Sequence, residues 1–500
     1  MATDGDSDEI TARRRLLNDD HGNMDEMDFT VLPQTCSPDL TLFTRLDKSK
    51  EITVNEVVEA IGFGKFQLKC LGIMGFIWMI ESMEITMLSL LGPLLVCEWG
   101  ISSIQEALLT SIVFLGYAIG SPCFGWVSDH YGRKVGLTIA VICTSYFGLI
   151  SAAAGGLVMT LLLRSLAGIG VGGIAQCVTM LTELVPSKTR AKSIISLQVF
   201  VFIGMSFEGL LAYLLLVPLG WRMLLVISTV PLLAFLLLSP RLVESPRFLL
   251  LTGKRKEATD ILEKGAKANN KSIPEGILVA DLETDRGRFK DLFSPSYRTL
   301  TFMLWWIWIA SVTLYYSTIL MTPALTKVTR CGHGDGNEIV HCRCKQVTNS
   351  DIVAIIIASI GELLGGLVAF LLIDRLGRKR TLAFGFILAM LSYLLLIICA
   401  DRTTKYGLTL FSRSCGSGLS LLCYVYSPEV YPTKFRAVGI GTANAVGRIG
   451  AILSPFIAQV LFSASDILAL VVAAGFALVG AICSLFLPLE TKGRLLQDTN

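Results

Sequence analysis

The sequence contains no phosphate-binding loop ending in Gly-Lys-Ser/Thr, so ATP is not expected to drive whatever it does. It has no nucleophile–base constellation, which argues against an enzyme. No nucleic-acid-binding signature is present, and a net charge of +3 is too small to point to a partner. The first fifty residues are polar and acidic, without the apolar core of a cleavable signal peptide. A cofactor motif is also missing. Gly168-Ile169-Gly170-Val171-Gly172-Gly173 satisfies G-x-G-x-x-G, but it follows no strand and lies inside an apolar run, where close helix packing explains it.

What is present is apolar sequence. Hydrophobic residues make up 53% of the 500-residue chain, and the mean hydropathy is +0.63. Runs of about 20 apolar residues suffice to cross a bilayer core. Twelve are readable, at roughly 66–94, 106–127, 136–154, 157–181, 193–217, 222–239, 300–322, 352–373, 382–400, 405–426, 437–461 and 467–487. Lipid supplies no hydrogen-bond partners to the backbone, so these segments are expected to be helices.

The chain also repeats itself. Gly125-Trp126-Val127-Ser128-Asp129-His130-Tyr131-Gly132-Arg133-Lys134 returns as Ile373-Asp374-Arg375-Leu376-Gly377-Arg378-Lys379-Arg380, with Asp129 and Asp374 separated by 245 residues. Glu183, Pro186 and Arg190 match Glu429, Pro432 and Arg436 at 246, Glu244 matches Glu490 at 246, and Arg164 matches Arg413 at 249. One unit has been duplicated. The expected fold is an all-α membrane protein with twelve transmembrane helices in two pseudo-symmetric six-helix bundles. Its divisions are an acidic tail (1–65), mostly disordered, a first bundle (66–240), a linker carrying surface helices (241–299), a second bundle (300–488) and a terminal tail (489–500). Residues 52–65 have the pattern of a short amphipathic helix.

Orientation follows from basic residues in short loops. Loops near 129–135, 186–192, 374–380 and 433–436 carry eleven Lys and Arg, and those on the other side carry seven. The first set, both termini and the linker are therefore expected in the cytosol. The outer loop 323–351 holds Cys331, Cys342 and Cys344 with His333 and His341 nearby. A metal site is conceivable there, but a disulfide in an oxidising lumen, with Cys97 as a candidate partner, is preferred. No metal ligands are assigned. In the tail, Arg13-Arg14-Arg15-Leu16-Leu17 resembles a dileucine signal for sorting machinery but lacks the acid four residues earlier.

Gly125–Lys134 and Asp374–Arg380 resemble the duplicated loop motif of the major facilitator superfamily. Glu244-Ser245-Pro246-Arg247 and Glu490-Thr491-Lys492-Gly493 resemble the segments after helices 6 and 12 in its sugar-porter and organic-ion branches. Glu59 through Gln67, Met83-Glu84 and Ser427 through Thr433 look closer still to the synaptic vesicle 2-related branch. The resemblance implies alternating access, with two rigid bundles rocking about a midplane substrate site. It also implies a vesicle membrane, or alternatively the plasma membrane. Asp129, Arg133, Asp374 and Arg378 map onto latch positions of the cytosolic gate. Arg164, Glu183, Arg190, Arg413, Glu429 and Arg436 map onto a charge network joined to that latch.

Charges inside spans are costly, by about 2.5–3.5 kcal/mol even on lenient scales, so each needs a partner or a task. Glu81 and Glu84 lie three residues apart in the first span and share a face. Their repulsion is expected to push one toward neutrality, which suits proton coupling or a cationic substrate. Glu208 and Glu362 are candidates too, the latter leaning to structure. Arg448 follows a ladder of small residues (Gly439, Ala443, Gly447) that is expected to pack its helix on a neighbour and leave the guanidinium facing the central cavity. Among aromatics, Trp305, Trp306 and Trp308 read as an interfacial belt, while Tyr315, Tyr316 and Tyr424 are candidates to line the site. The leading expectation is a secondary active transporter of a small organic ion, an aromatic carboxylate among the options, with proton coupling. The alternative is a non-transporting vesicle-membrane binding protein of the same fold.

Overall fold

The structure is a computed structural model, and it describes residues 51–279, 288–325, 347–398, 401–432 and 435–492. The stretch holding Arg13–Leu17 and the loop cysteines and histidines of 331–344 lie outside the described residues.

The chain opens with a short strand, β1 (Glu51–Thr53), and helix α1 (Val54–Ile61). The first bundle follows: α2 (Lys65–Trp99), α3 (Ser103–Tyr131), α4 (Arg133–Ser151), α5 (Leu157–Ile174), α6 (Gln176–Leu184), α7 (Ser187–Ser228) and α8 (Val230–Leu238). The linker contributes α9 (Pro246–Leu251), α10 (Arg255–Ala268) and β2 (Ile277–Val279). The second bundle is α11 (Arg298–Leu325), α12 (Asn349–Leu376), α13 (Arg378–Ile397), α14 (Arg402–Val430), α15 (Arg436–Pro455), a π-helical turn at Phe456–Leu461, α16 (Phe462–Ala464) and α17 (Asp466–Phe486).

Among the described residues, ten helical segments, not twelve, are long and apolar enough to cross a membrane. The difference has two sources. Ser187–Arg241 runs for 55 residues as one segment. At about 1.5 Å per residue that is more than twice a hydrocarbon core, and it bends at Gly220, whose φ of 76° only glycine adopts freely. The 29-residue α14 carries Arg413 amid a run of Ser and Gly, so its mean hydropathy falls short although its length does not.

The duplication is visible in the packing. In the first bundle α2 packs on α7, α3 on α5, and α4 on α8; in the second, α11 packs on α15, α12 on α14, and α13 on α17. The G-x-G-x-x-G stretch serves this packing. A Cβ on Gly168 would lie 2.4 Å from the Val113 carbonyl oxygen, and one on Gly172 would lie 2.5 Å from that of Tyr117, so α5 and α3 touch backbone to backbone. Large apolar side chains such as Val158, Leu237 and Phe486 point outward, as lipid-facing positions must. The bundles meet through α2 with α11, α3 with α15, and α7 with α12.

Within the all-α fold, β1 and β2 form a small two-stranded parallel sheet with Ile52 opposite Leu278. The short amphipathic helix expected at 52–65 is α1. A capping box at Thr53 and Glu56 starts α1, and its Val54, Val57, Val58 and Ile61 bury against Leu249, Ala258, Leu262 and Ala266 of the linker helices. Asn269, at the end of α10, fixes this small unit to the start of α2. It accepts from the Phe66 amide at 3.0 Å and donates to Gln67 Oε1 at 2.7 Å.

Cys97, at the end of α2, is disulfide-bonded, and its partner lies outside the described residues. Asp401 caps α14, and the hydroxyl and amide of Thr404 hold its carboxyl below the usual carboxylate range.

Candidate functional site

The duplicated motifs lie on one face, at the turns α3–α4 and α12–α13. Each turn pivots on a glycine with positive φ, 108° at Gly132 and 90° at Gly377. Glu244 accepts from the amides of Arg133 (2.9 Å) and Lys134 (3.2 Å), and Glu490 accepts from those of Arg378 (2.9 Å) and Lys379 (3.2 Å). A carboxylate thus sits on the first amides of α4 and of α13, where the helix dipole favours it. Arg133 pairs with Asp129 and lies 3.6 Å from Glu183. Arg378 lies 3.2 Å from Asp374 and grips Glu429 with two nitrogens, at 3.0 and 3.3 Å. Both circuits stay within their own bundle.

Asp129 and Asp374 are largely exposed, and exposed pairs contribute only about 0.2–1 kcal/mol. The half-buried partners matter more. Glu490→Ala is expected to speed amide hydrogen exchange at Arg378 and Lys379 by about five- to ten-fold, as loss of a cap worth about 1 kcal/mol would. Asp374→Asn should leave it nearly unchanged, and equal rates in the two variants would overturn this ranking.

The remaining gate candidates divide. Arg190 lies beside Arg247 and Glu59, and Arg436 Nε donates to the Tyr431 carbonyl at 3.1 Å, so neither pairs with the glutamate of its own motif. Arg164 and Arg413 pair elsewhere than with the motif residues. Both are fully buried within the bundles, far along their helices from the motif face. Arg164 Nη2 donates to Glu84 at 2.7 Å, and Arg413 Nε donates to Glu362 at 3.1 Å. The two arginines are repeat equivalents, but their acids come from non-equivalent helices, α2 and α12.

Glu81 and Glu84 do not form a carboxylate pair. Three residues turn a helix through about 300°, so the two acids diverge by about 60°. Glu84 turns to Arg164 on α5, while Glu81 faces α3 and accepts from the Tyr117 hydroxyl at 2.8 Å. Glu208, completely buried on α7, accepts from Ser228 at 2.8 Å and lies in the field of Glu84 and Arg164.

Between the bundles lies a cavity with about 120 Å³ of water-accessible interior. Its walls come from α2, α3, α6, α7, α11, α14 and α15. Glu81, Tyr315, Tyr316, Tyr424 and Arg448 all line it; Glu84, Glu208 and Glu362 do not. The small-residue face of α15 packs on α11, where a Cβ on Gly447 would meet Trp308 at 3.2 Å. Arg448 is thereby turned to the cavity. Its guanidinium lies 3.8 Å over the Tyr117 ring, a cation–π contact. Trp308 is no belt residue: it is buried, donates to Ser427 at 2.9 Å and packs edge-on against Tyr424 at 4.8 Å.

Sequence reasoning missed Tyr117, Trp78, Gln198 and Asn444, which also line the cavity. Tyr117 and Asn444 carried a usable signal. Tyr117 is a polar-tipped ring in the middle of an apolar run, and Asn444 precedes Arg448 by four residues, on the same helix face. Among the described residues, hydrogen bonds join the bundles on the side away from the motifs and near the middle. Ser111 donates to the Ile452 carbonyl at 2.9 Å, Ser463 to Ser103 at 3.0 Å, Ser206 and Ser359 share a 2.8 Å bond, and Gln198 donates to Ser417 at 3.3 Å.

A family model described as sugar (and other) transporter matches residues 57–500. The chain belongs to this family of the major facilitator superfamily. It is 43% identical over 452 residues to the synaptic vesicle 2-related protein of Pongo abelii, covering 89% of this chain and 82% of that one. It is 33% identical to organic cation/carnitine transporter 7 of Arabidopsis thaliana, covering 91% and 97%. Among solved structures it resembles the inward-open xylose transporter XylE from E. coli, with a TM-score of 0.67 at 17% identity over 86% of this chain and 98% of that one. This last likeness concerns the fold. The protein is a multi-pass membrane transporter and not an enzyme.

Proposed function

We propose that the protein is a secondary active transporter that moves a small organic ion, an aromatic carboxylate by preference, through alternating access. The observation that carries this reading is Arg448: a guanidinium lining an aromatic-walled cavity between two bundles, with no carboxylate of the described residues within 4.0 Å. Tyr315, Tyr316, Tyr424 and Trp308 offer ring faces and edges for an aromatic ligand. The relative named for organic cations and carnitine supports an organic ion as cargo. The bias of basic residues supports placing the motif face, the linker and both termini in the cytosol, and the synaptic vesicle 2-related relatives support a vesicle membrane. With the bundles joined on the far side, the cavity would face the cytosol.

Proton coupling falls to Glu81 rather than Glu84. Glu81 lines the cavity and its Oε2 has no hydrogen-bond partner among the described residues, whereas Glu84 pairs with Arg164. Uptake of labelled benzoate into proteoliposomes under an imposed pH gradient tests the proposal. Wild-type protein should accumulate it, and Glu81→Gln should still exchange it but lose gradient-driven accumulation. Absence of benzoate uptake across all gradients would overturn the substrate class, and undiminished accumulation by Glu81→Gln would overturn the coupling role.

A further inference from the structure

We propose that Tyr117 is a positioning residue that holds Glu81 and Arg448 apart and so keeps the guanidinium open to an incoming anion. This rests on reading the cavity as the substrate site. An arginine and a glutamate that line one cavity, screened by little water, should fall into an ion pair. Here they do not, and Tyr117 stands between them. Its hydroxyl donates to Glu81 Oε1 at 2.8 Å, and its ring lies under Arg448 at 3.8 Å.

One residue therefore satisfies both charges with opposite parts of the same side chain. The hydroxyl takes one acceptor site of the carboxylate, and the electron-rich face takes the cation without using any of its N–H donors. The guanidinium, which the Tyr316 hydroxyl also approaches, still has N–H donors for a carboxylate brought by a ligand. Tyr117 is itself fixed. It is 3% exposed, on a helix whose backbone touches α5 at Gly172. Phe114, one turn earlier, packs against Tyr316 at 4.5 Å. The α3 backbone that carries it is therefore held in place. α3 belongs to the first bundle and α15 to the second, so the spacer also bridges the two bodies that must move during transport. An arginine locked onto Glu81 would tie those bodies together and close the site.

The test needs no knowledge of the natural ligand. Full-length protein is treated with phenylglyoxal, and modification of Arg448 is followed by peptide mass spectrometry. Tyr117→Leu removes spacer and hydroxyl, lets Arg448 pair with Glu81, and should slow modification by about ten-fold or more, as expected for a charge-assisted hydrogen bond. Tyr117→Phe keeps the ring but releases Glu81, and should fall between. The deciding variant is Tyr117→Leu with Glu81→Gln, which removes the competing acid and should return modification to the wild-type rate. A purely structural tyrosine predicts the opposite: the second substitution adds damage and rescues nothing. No slowing in Tyr117→Leu, or no recovery in the double variant, would overturn the proposal. Excess benzoate is a separate arm. Protection of wild-type Arg448 supports the substrate site, and absence of protection counts against that site reading while the variant rates still judge Tyr117.

Discussion

Arg413→Met is expected to lower the melting temperature of the purified protein sharply, and adding Glu362→Leu to it should recover most of the loss. Arg413 is 1% exposed and Glu362 is fully buried, with Nε to Oε1 at 3.1 Å. Two charges this deep are costly to desolvate, and their mutual attraction does little more than offset that cost. Removing one alone is different, because it strands the other, at about 3–5 kcal/mol. Removing both replaces an ion pair by apolar contacts and is close to neutral. Thermal unfolding of both variants in the same detergent decides the matter. Arg413 has a second contact, Nη2 to Met205 Sδ at 2.7 Å across the bundle interface. If the double variant melts no higher than the single one, the stability lies in that contact and not in the pair.

This pair also marks the limit of what the sequence could tell. The helices were legible because lipid forces a simple rule on them: an apolar run of sufficient length must satisfy its own backbone. Their partners were legible where the duplication wrote the same residues twice, as at Asp129, Arg133, Asp374 and Arg378. The partners of Arg164 and Arg413 were hidden for the same reason. They repeat at almost the same offset as the gate residues, so they read as part of the gate. Sequence offset does not encode depth, and seven residues into α5 already lie about 10 Å from its end. The Glu81–Glu84 pairing failed on rotation rather than depth, because a difference of about 60° around α2 sends one acid to α3 and the other to α5. Helix α1 was legible from its amphipathic pattern, but the strand Glu51–Thr53 was not, because three residues leave no periodic trace and pair with a partner more than two hundred residues away. Arg448 was readable because a ladder of small residues fixes which side of α15 meets α11, and the guanidinium must then occupy another side.

Arg448→Gln is expected to abolish binding of an aromatic anion such as benzoate while the protein melts normally. Arg448→Lys should weaken binding by about ten- to a hundred-fold, the span of 1.5–3 kcal/mol for a hydrogen bond to a charged group. The two substitutions separate charge from shape. Lysine keeps the positive charge but presents a point donor, without the planar fork that matches a carboxylate. Glutamine keeps a polar amide able to bond in a wet cavity but has no charge. The competing view makes Arg448 a structural counter-ion to Glu81, so that its removal would strand that acid and lower stability as at Arg413. The geometry speaks against it. Tyr117 donates to one oxygen of Glu81 at 2.8 Å, and no carboxylate of the described residues approaches Arg448 within 4.0 Å. Melting and binding are therefore measured on the same preparations. A variant that melts with the wild type but no longer binds assigns Arg448 to the ligand. One whose melting point collapses, with affinity intact in the surviving fraction, assigns it to the fold.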